Sequence, residues 1–320
     1  MNATKKIVCL GGGIGTVNLA KGLKEYTENI TFVISMADDG GSGGRIRRLY
    51  HIPPPGDLVS CMAALAKAKN PLLAKVLTYR FPGDRYAKDS DLSGHKLGNL
   101  IMVAMQTITG SFEGAISLFQ QTFDIPGIFL PATEQAITIS AKTKKGEEIT
   151  GEETIDLGKY NWKDGLQNVS IHPSDAKAGS GVINAISCAD AIIAGPGDLY
   201  TTILPVLIVP EISQALKEST AKKVFVVNIA NKPFETNGYS VQDFIEAITS
   251  HLGWFPFDAV LINNNFSVPI PNEYNYEYVL SALPPVETKE VTVIEKNLVD
   301  PHFPLYHNSE ELAKAVDEIV

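Results

Sequence analysis

The residues able to do chemistry begin with a glycine-rich turn, Gly11-Gly12-Gly13-Ile14-Gly15-Thr16. It follows the apolar run Lys6–Leu10 and precedes Leu19, Ala20, Leu23 and Tyr26 at helical spacing. Glycines let backbone N–H groups come close to an anion, and a helix start adds unpaired N–H groups and the positive end of its dipole. Gly11, Gly12, Gly13, Gly15 and Thr16 are therefore candidates to cradle a phosphate. The spacing is not the dinucleotide fingerprint. Counted from Gly11 the third glycine falls on Thr16, and counted from Gly13 it falls on Asn18. NAD fits the space such a turn provides, but a redox role for it is not expected.

The second motif runs Asp38-Asp39-Gly40-Gly41-Ser42-Gly43-Gly44-Arg45-Ile46-Arg47-Arg48. Asp38 and Asp39 can ligate Mg²⁺ or accept sugar hydroxyls. Gly40, Gly41 and Ser42 form an anion-friendly loop, and Arg45 and its neighbours can grip a diphosphate. After Pro53-Pro54-Pro55-Gly56, Asp57 either caps the helix carrying Leu58, Met62 and Leu65 or supplies a third carboxylate for Mg²⁺; the two are compatible. His95 and Asn99, in Gly94-His95-Lys96-Leu97-Gly98-Asn99, open a helix with Leu97, Leu100, Ile101 and Ala104 expected inward. A helix dipole disfavours charged His95, leaving a neutral imidazole for a ligand. A second glycine turn, Gly195-Pro196-Gly197-Asp198, offers Gly195 and Gly197. Tyr200 beyond it can stack on a ligand or sit in the core. Asn228 can read a base or sugar edge or tie down a turn.

Positioning these groups takes a particular scaffold. Strand-like runs at Lys6–Leu10, Ile30–Ile34, Ala191–Ala194, Val224–Val227 and Ala259–Ile262 alternate with helical patterns such as Val241–Leu252. This is the signature of βαβ units and a parallel sheet. The runs end in Gly11, Asp38-Asp39, Gly195, Asn228 and Asn263, where open parallel sheets bind ligands. In the stretch from about residue 126 to 173, Ile137-Thr138-Ile139 alternates, Lys145-Gly146 marks a turn and Glu148-Ile149-Thr150 resumes an extended pattern, which reads as an antiparallel β insertion. Asn308 reads as the cap of a C-terminal helix with Leu312, Ala315, Val316 and Ile319 on one face. The expectation is one α/β domain over 1–320: a variant Rossmann-like, open, mostly parallel sheet with helices on both faces.

Bulk properties narrow the class. The 320 residues are 44% apolar and 20% charged, with a formal net charge of -9. That is globular composition with an acidic balance that disfavours nucleic acid. Cys9, Cys61 and Cys188 each have mostly apolar neighbours and read as small buried hydrophobes. Glycines break the first apolar run too soon for a signal peptide or membrane span, so a reducing cytoplasm is expected. A homo-oligomer is compatible with the sequence.

Taken as an ordered set, the motifs resemble the CofD-like family, and within it the YvcK branch. Gly11 to Gly15, Ala37 to Arg47, Pro54 to Asp57, Gly94 to Leu100, Gly195 to Thr202 and Asn228 to Tyr239 follow its GGGTG, ADDGGSSGRLR, PPGD, GHxxGNL, GPGSLYTS and N-x-x-x-QPGET-x-GY patterns. The resemblance runs from Lys6 to about Asn264. Ile14 stands in place of Thr, Gly43 of Ser, Asp198 of Ser, Lys232 of Gln and Phe234 of Gly. The resemblance implies a variant Rossmann-like fold and two activities. One branch transfers a phospholactyl group from a guanosine diphosphate donor to a deazaflavin alcohol, with Mg²⁺ held by aspartates. The other is a cytoplasmic factor for growth and cell shape on gluconeogenic carbon that binds UDP-sugars such as UDP-N-acetylglucosamine. Ala37 to Ser42 and Arg45 to Arg47 favour the second. The leading expectation is a nucleotide-sugar-binding regulator, and a Mg²⁺-dependent transferase is the alternative. A nicotinamide oxidoreductase lacks its third glycine.

Overall fold

A computed structural model describes residues 5–281 and 291–320. Its strands, in chain order, are β1 (Ile7–Gly11), β2 (Ile30–Ile34), β3 (Ile128–Pro131), β4 (Thr138–Thr143), β5 (Glu148–Thr150), β6 (Leu166–His172), β7 (Ala191–Ala194), β8 (Lys222–Val226), β9 (Ala230–Asn231), β10 (Ala259–Asn263), β11 (Glu277–Tyr278) and β12 (Thr292–Lys296). Seven of them form the main sheet, ordered β12-β10-β8-β7-β1-β2-β3, and every pairing in it is parallel. The central strands β1, β2, β7 and β10 are buried along their whole length, as strands covered on both faces must be.

Alternate residues of β1 feed two cores. Ile7 and Cys9 pack with Leu19, Leu23, Met62 and Val316 from helices on one face. Val8 and Leu10 pack with Ile139, Val169, Ile186 and Ile212 on the other. That second face is covered partly by helices and partly by the antiparallel sheet β5-β4-β6. The chain order reverses direction between β1 and β7, which are direct neighbours with Leu10 beside Ala194. Both glycine turns therefore emerge side by side at the topological switch point, where a crevice opens in such sheets.

Several expectations shift. Ile128–Pro131 lies within the stretch read as an insertion, yet β3 pairs with β2 as an edge of the main sheet. The antiparallel unit proper begins at β4. The helix Leu97–Thr109 buries Gly98, Asn99, Met102 and Met105, not the stripe Leu97, Leu100, Ile101 and Ala104. Gly98 sets this rotation: a Cβ there would lie 2.6 Å from the Leu77 carbonyl oxygen, so only a glycine face fits against that neighbour. Cys9 and Cys61 are buried as expected, but Cys188 is exposed. Asn308 caps the helix Ser309–Ile319 by accepting from the N–H groups of Glu310 and Glu311. Among the described residues, no single helix is long and apolar enough to cross a membrane.

Candidate functional site

A cleft lies over the carboxyl ends of β1 and β7. One half is a cavity of about 400 Å³ reached by Gly12, Gly13, Gly15, Gly197, Lys232 and Asn228. The other, about 230 Å³, is lined by Asp38, Gly40, Gly41, Asp57, Glu152 and Arg85. Both halves share Gly13, Ile14, Asp156, Asp198 and Thr202. The two turns touch closely. A Cβ on Gly15 would stand 2.2 Å from the Pro196 carbonyl oxygen, so a side chain at that position would force the turns apart.

Asp57 makes the turn's first polar contact. Its Oδ2 accepts from the Gly13 N–H at 2.7 Å. Asp57 thus caps the helix Gly13–Leu23 from outside, whereas its own helix Gly56–Lys69 has no side-chain cap. Burial pushes the Asp57 carboxyl up, while the Gly13 N–H and the charge of Lys96 pull it down. Asp38 accepts from the Gly40 N–H at 3.0 Å. Burial first, and the Asp57 charge second, raise it to about 7. Glu152 in the same half is also raised, by burial and then by Asp38. These crowded, half-buried carboxylates suit a hard, oxygen-liganded cation such as Mg²⁺. Asp39 does not join them. Its two oxygens accept from the N–H groups of Glu152 and Glu153 at 3.1 and 2.8 Å, so it caps the short helix Glu152–Asp156 instead.

The arginines expected on a diphosphate are turned away. Arg45 is 1% exposed and donates to the carbonyls of Ser93 and Lys88, both at 2.6 Å, and of Asp91. Arg48 grips Asp89 with two bonds of 2.9 and 2.8 Å, and Arg47 donates to Thr138. Ten helical residues, Gly41–Tyr50, thus aim their cations at the loop preceding His95 and at the β insertion. The cations that do line the cleft are Lys232 and Arg85.

Ser42, His95 and Asn99 form a buried network beneath the acidic half. Ser42 Oγ accepts from the Lys96 N–H (3.2 Å) and Asn99 Nδ2 (3.1 Å), and meets His95 Nδ1 at 3.0 Å. With both lone pairs engaged, the hydroxyl donates to Nδ1, which places the imidazole proton on Nε2. Burial, then the Arg45 charge, lowers the His95 pKa. This network shapes the loop and does not line the cleft. Thr16 and Tyr200 are likewise buried. The Thr16 hydroxyl packs against Gly11, and the Tyr200 hydroxyl pairs with that of Tyr239 at 2.8 Å. Gly195 makes the turn without lining the cavity. Asn228 lines it while its Oδ1 accepts from the Gly197 N–H at 2.9 Å, tying the second turn to β8.

Sequence reasoning missed two walls. Tyr276, Leu305, Tyr306 and His307, all beyond Asn264, close the larger cavity. His307 is buried, its pKa is lowered to about 3 by that burial, and its Nε2 has no hydrogen-bond partner among the described residues. The second is an ionic cluster. Lys232 donates to Asp198 at 2.8 Å, to Glu235 at 2.9 Å and to Asp156. Two of the positions that depart from the resembled pattern, Asp198 and Lys232, are therefore partners.

The parallel sheet and the cleft at its switch point define an α/β protein of Rossmann-like type. The chain belongs to the CofD family, described as 2-phospho-L-lactate transferase, which it matches over residues 7–299. It is 35% identical to the gluconeogenesis factor of Halalkalibacterium halodurans, over 98% of this chain and 96% of that one. It is 37% identical to the gluconeogenesis factor of Bacillus subtilis, over 90% of this chain and 86% of that one. A crystal structure of a UPF0052-family protein from Bacillus halodurans superposes with a TM-score of 0.87 at 34% identity, covering 98% of both chains.

Proposed function

We propose that this chain is a nucleotide-sugar-binding regulator, a cytoplasmic factor acting on growth and cell shape during use of gluconeogenic carbon. The observation that carries it is the division of the cleft. The glycine turns stand at its centre, with half-buried carboxylates on one side and the aromatic wall of Tyr276, Tyr306 and Phe234 on the other. A nucleoside diphosphate linked to a sugar has matching parts: a planar ring for the aromatic wall, phosphates for the turn N–H groups, and a metal-neutralised or hydroxyl-rich end for the carboxylates. The similarity to gluconeogenesis factors supports the regulatory role. Isothermal titration with UDP-N-acetylglucosamine tests it. Saturable binding is expected; none at millimolar ligand, where the free energy is only about -4 kcal/mol, overturns it.

The second reading is a Mg²⁺-dependent transferase acting on a nucleoside-diphosphate-linked donor. It is favoured by Asp38 and Asp57, which stand half-buried beside the first turn. Mg²⁺ held there would neutralise the diphosphate and the developing charge on a leaving oxygen. Asp57 would orient the turn through the Gly13 N–H, and burial would keep water from competing.

A further inference from the structure

We propose that the Lys232 ammonium is a resident cation, seated among carboxylates spaced for a divalent metal, and that it keeps metal ions out of the middle of the cleft. Oxygens of Asp156, Asp198 and Glu235 all lie within 4.8 Å of one another. The Lys232 nitrogen is bonded to all three. An ammonium has three protons and no lone pair. Every donor is engaged, so Lys232 cannot reach a ligand without releasing a carboxylate. Lys232 is therefore a positioning residue and not a phosphate clamp.

The three acids come from separate segments. Asp156 ends the short helix Glu152–Asp156, Asp198 follows the turn after β7, and Glu235 follows β9. Glu235 is fixed: its carboxylate also accepts from the N–H groups of Tyr200 and Thr201 and from the Thr201 hydroxyl. Asp156 and Asp198 are about one-third exposed and free to adjust. Bonds from Mg²⁺ to oxygen are shorter than the ammonium's bonds to Asp198 and Glu235 by roughly 0.7 Å; an ion seated nearer the fixed Glu235 is met by rotation of the two partly exposed aspartates. Burial alone would lower the Lys232 pKa, but Glu235, Asp198 and Asp156 overcome it and hold the side chain charged.

Asp156 and Asp198 line both halves of the cleft. With their oxygens already taken by the ammonium, a mobile divalent ion is left the carboxylates of Asp38, Asp57 and Glu152. Removing the ammonium should open a second metal position. The test uses Mn²⁺ alone, so it stands apart from the nucleotide-sugar reading. Mn²⁺ binding to the full chain is followed by electron paramagnetic resonance for the wild type, Lys232→Met, and Lys232→Met with Asp156→Asn. The single variant is expected to bind one more ion than the wild type, and the double variant to lose it. Thermal melts give the second readout: Mn²⁺ should raise the midpoint of Lys232→Met further than that of the wild type. Should Lys232→Met fold only with Mn²⁺ present, while the double variant does not fold even then, the proposal is also upheld. It is overturned by equal Mn²⁺ stoichiometry in wild type and Lys232→Met, by an extra ion indifferent to Asp156→Asn, or by a Lys232→Met chain that stays unfolded with Mn²⁺.

Discussion

Replacing Asp38 with Asn removes one charge from the acidic half of the cleft and keeps the shape of the side chain. The Asn oxygen can still accept from the Gly40 N–H, 3.0 Å away in the wild type. Burial and the Asp57 charge hold the Asp38 carboxyl at about 7, against an ordinary 3.8. The folded value lies above the unfolded one, so folding favours the protonated form. The contribution is intact below about pH 4 and is lost as the pH rises through about 7. A gap of this size corresponds to at most about 4 kcal/mol at 1.36 kcal/mol per unit. Part of it belongs jointly to Asp38 and Asp57, so roughly 2–4 kcal/mol is expected for Asp38. Asp38→Asn should therefore be more stable than the wild type by that amount at about pH 8, with the two converging near pH 4. Urea denaturation across this range measures the difference. Added Mg²⁺ should stabilise the wild type at high pH and leave Asp38→Asn unchanged. Parallel pH curves for the two proteins would refute the reasoning, because Asp38 would then carry no buried-charge penalty for a cation to relieve.

Asp57→Asn should preserve the fold, since its amide oxygen can still accept from the Gly13 N–H. It should abolish any Mg²⁺-dependent turnover of a nucleoside-diphosphate-linked donor; unchanged turnover, read by nucleotide release, would remove the metal role of Asp57. Arg45→Met should cost about 3 kcal/mol by removing the charge-assisted bonds that the buried guanidinium donates to the carbonyls of Lys88, Asp91 and Ser93. Hydrogen exchange should then rise in residues 84–95, and equal protection in variant and wild type would count against the clasp.

Much of the scaffold is legible in the sequence because the inner strands are continuous apolar runs bounded by turns. The edges are not. β3 is four residues flanked by Gly127 and ended by Pro131, which imitates a loop. β12 has only two apolar residues, Val293 and Ile294, and lies beyond the last recognisable motif. The helix Leu97–Thr109 is apolar on nearly every side, so periodicity cannot choose its inward face. A long-range contact of Gly98 with Leu77 does so. That the turns, Asp38 and Asp57 meet at one cleft was legible from the motifs. Motif chemistry misled at Arg45, because a sequence shows a cation but not whether backbone carbonyls or solvent receive it. Asp198 and Lys232 each look like an isolated change. The available signal was their opposite sign in loops that leave neighbouring strands, β7 and β8. Tyr276, Tyr306 and His307 carry no local mark at all.

The last helix gives the site a place in time. Ser309–Ile319 lies against the helix that begins at the first glycine turn, so closely that a Cβ on Gly22 would meet the Ser309 carbonyl oxygen at 2.0 Å. Nearby, the Asn18 side chain donates to the carbonyl of His307 across 289 positions of sequence. The pocket's walls therefore come from stretches of chain made 289 residues apart. Contacts of such separation form late and slowly. A growing chain holds the phosphate turn without its aromatic cover until Tyr276 and Tyr306 have been made, and competence to bind waits for them.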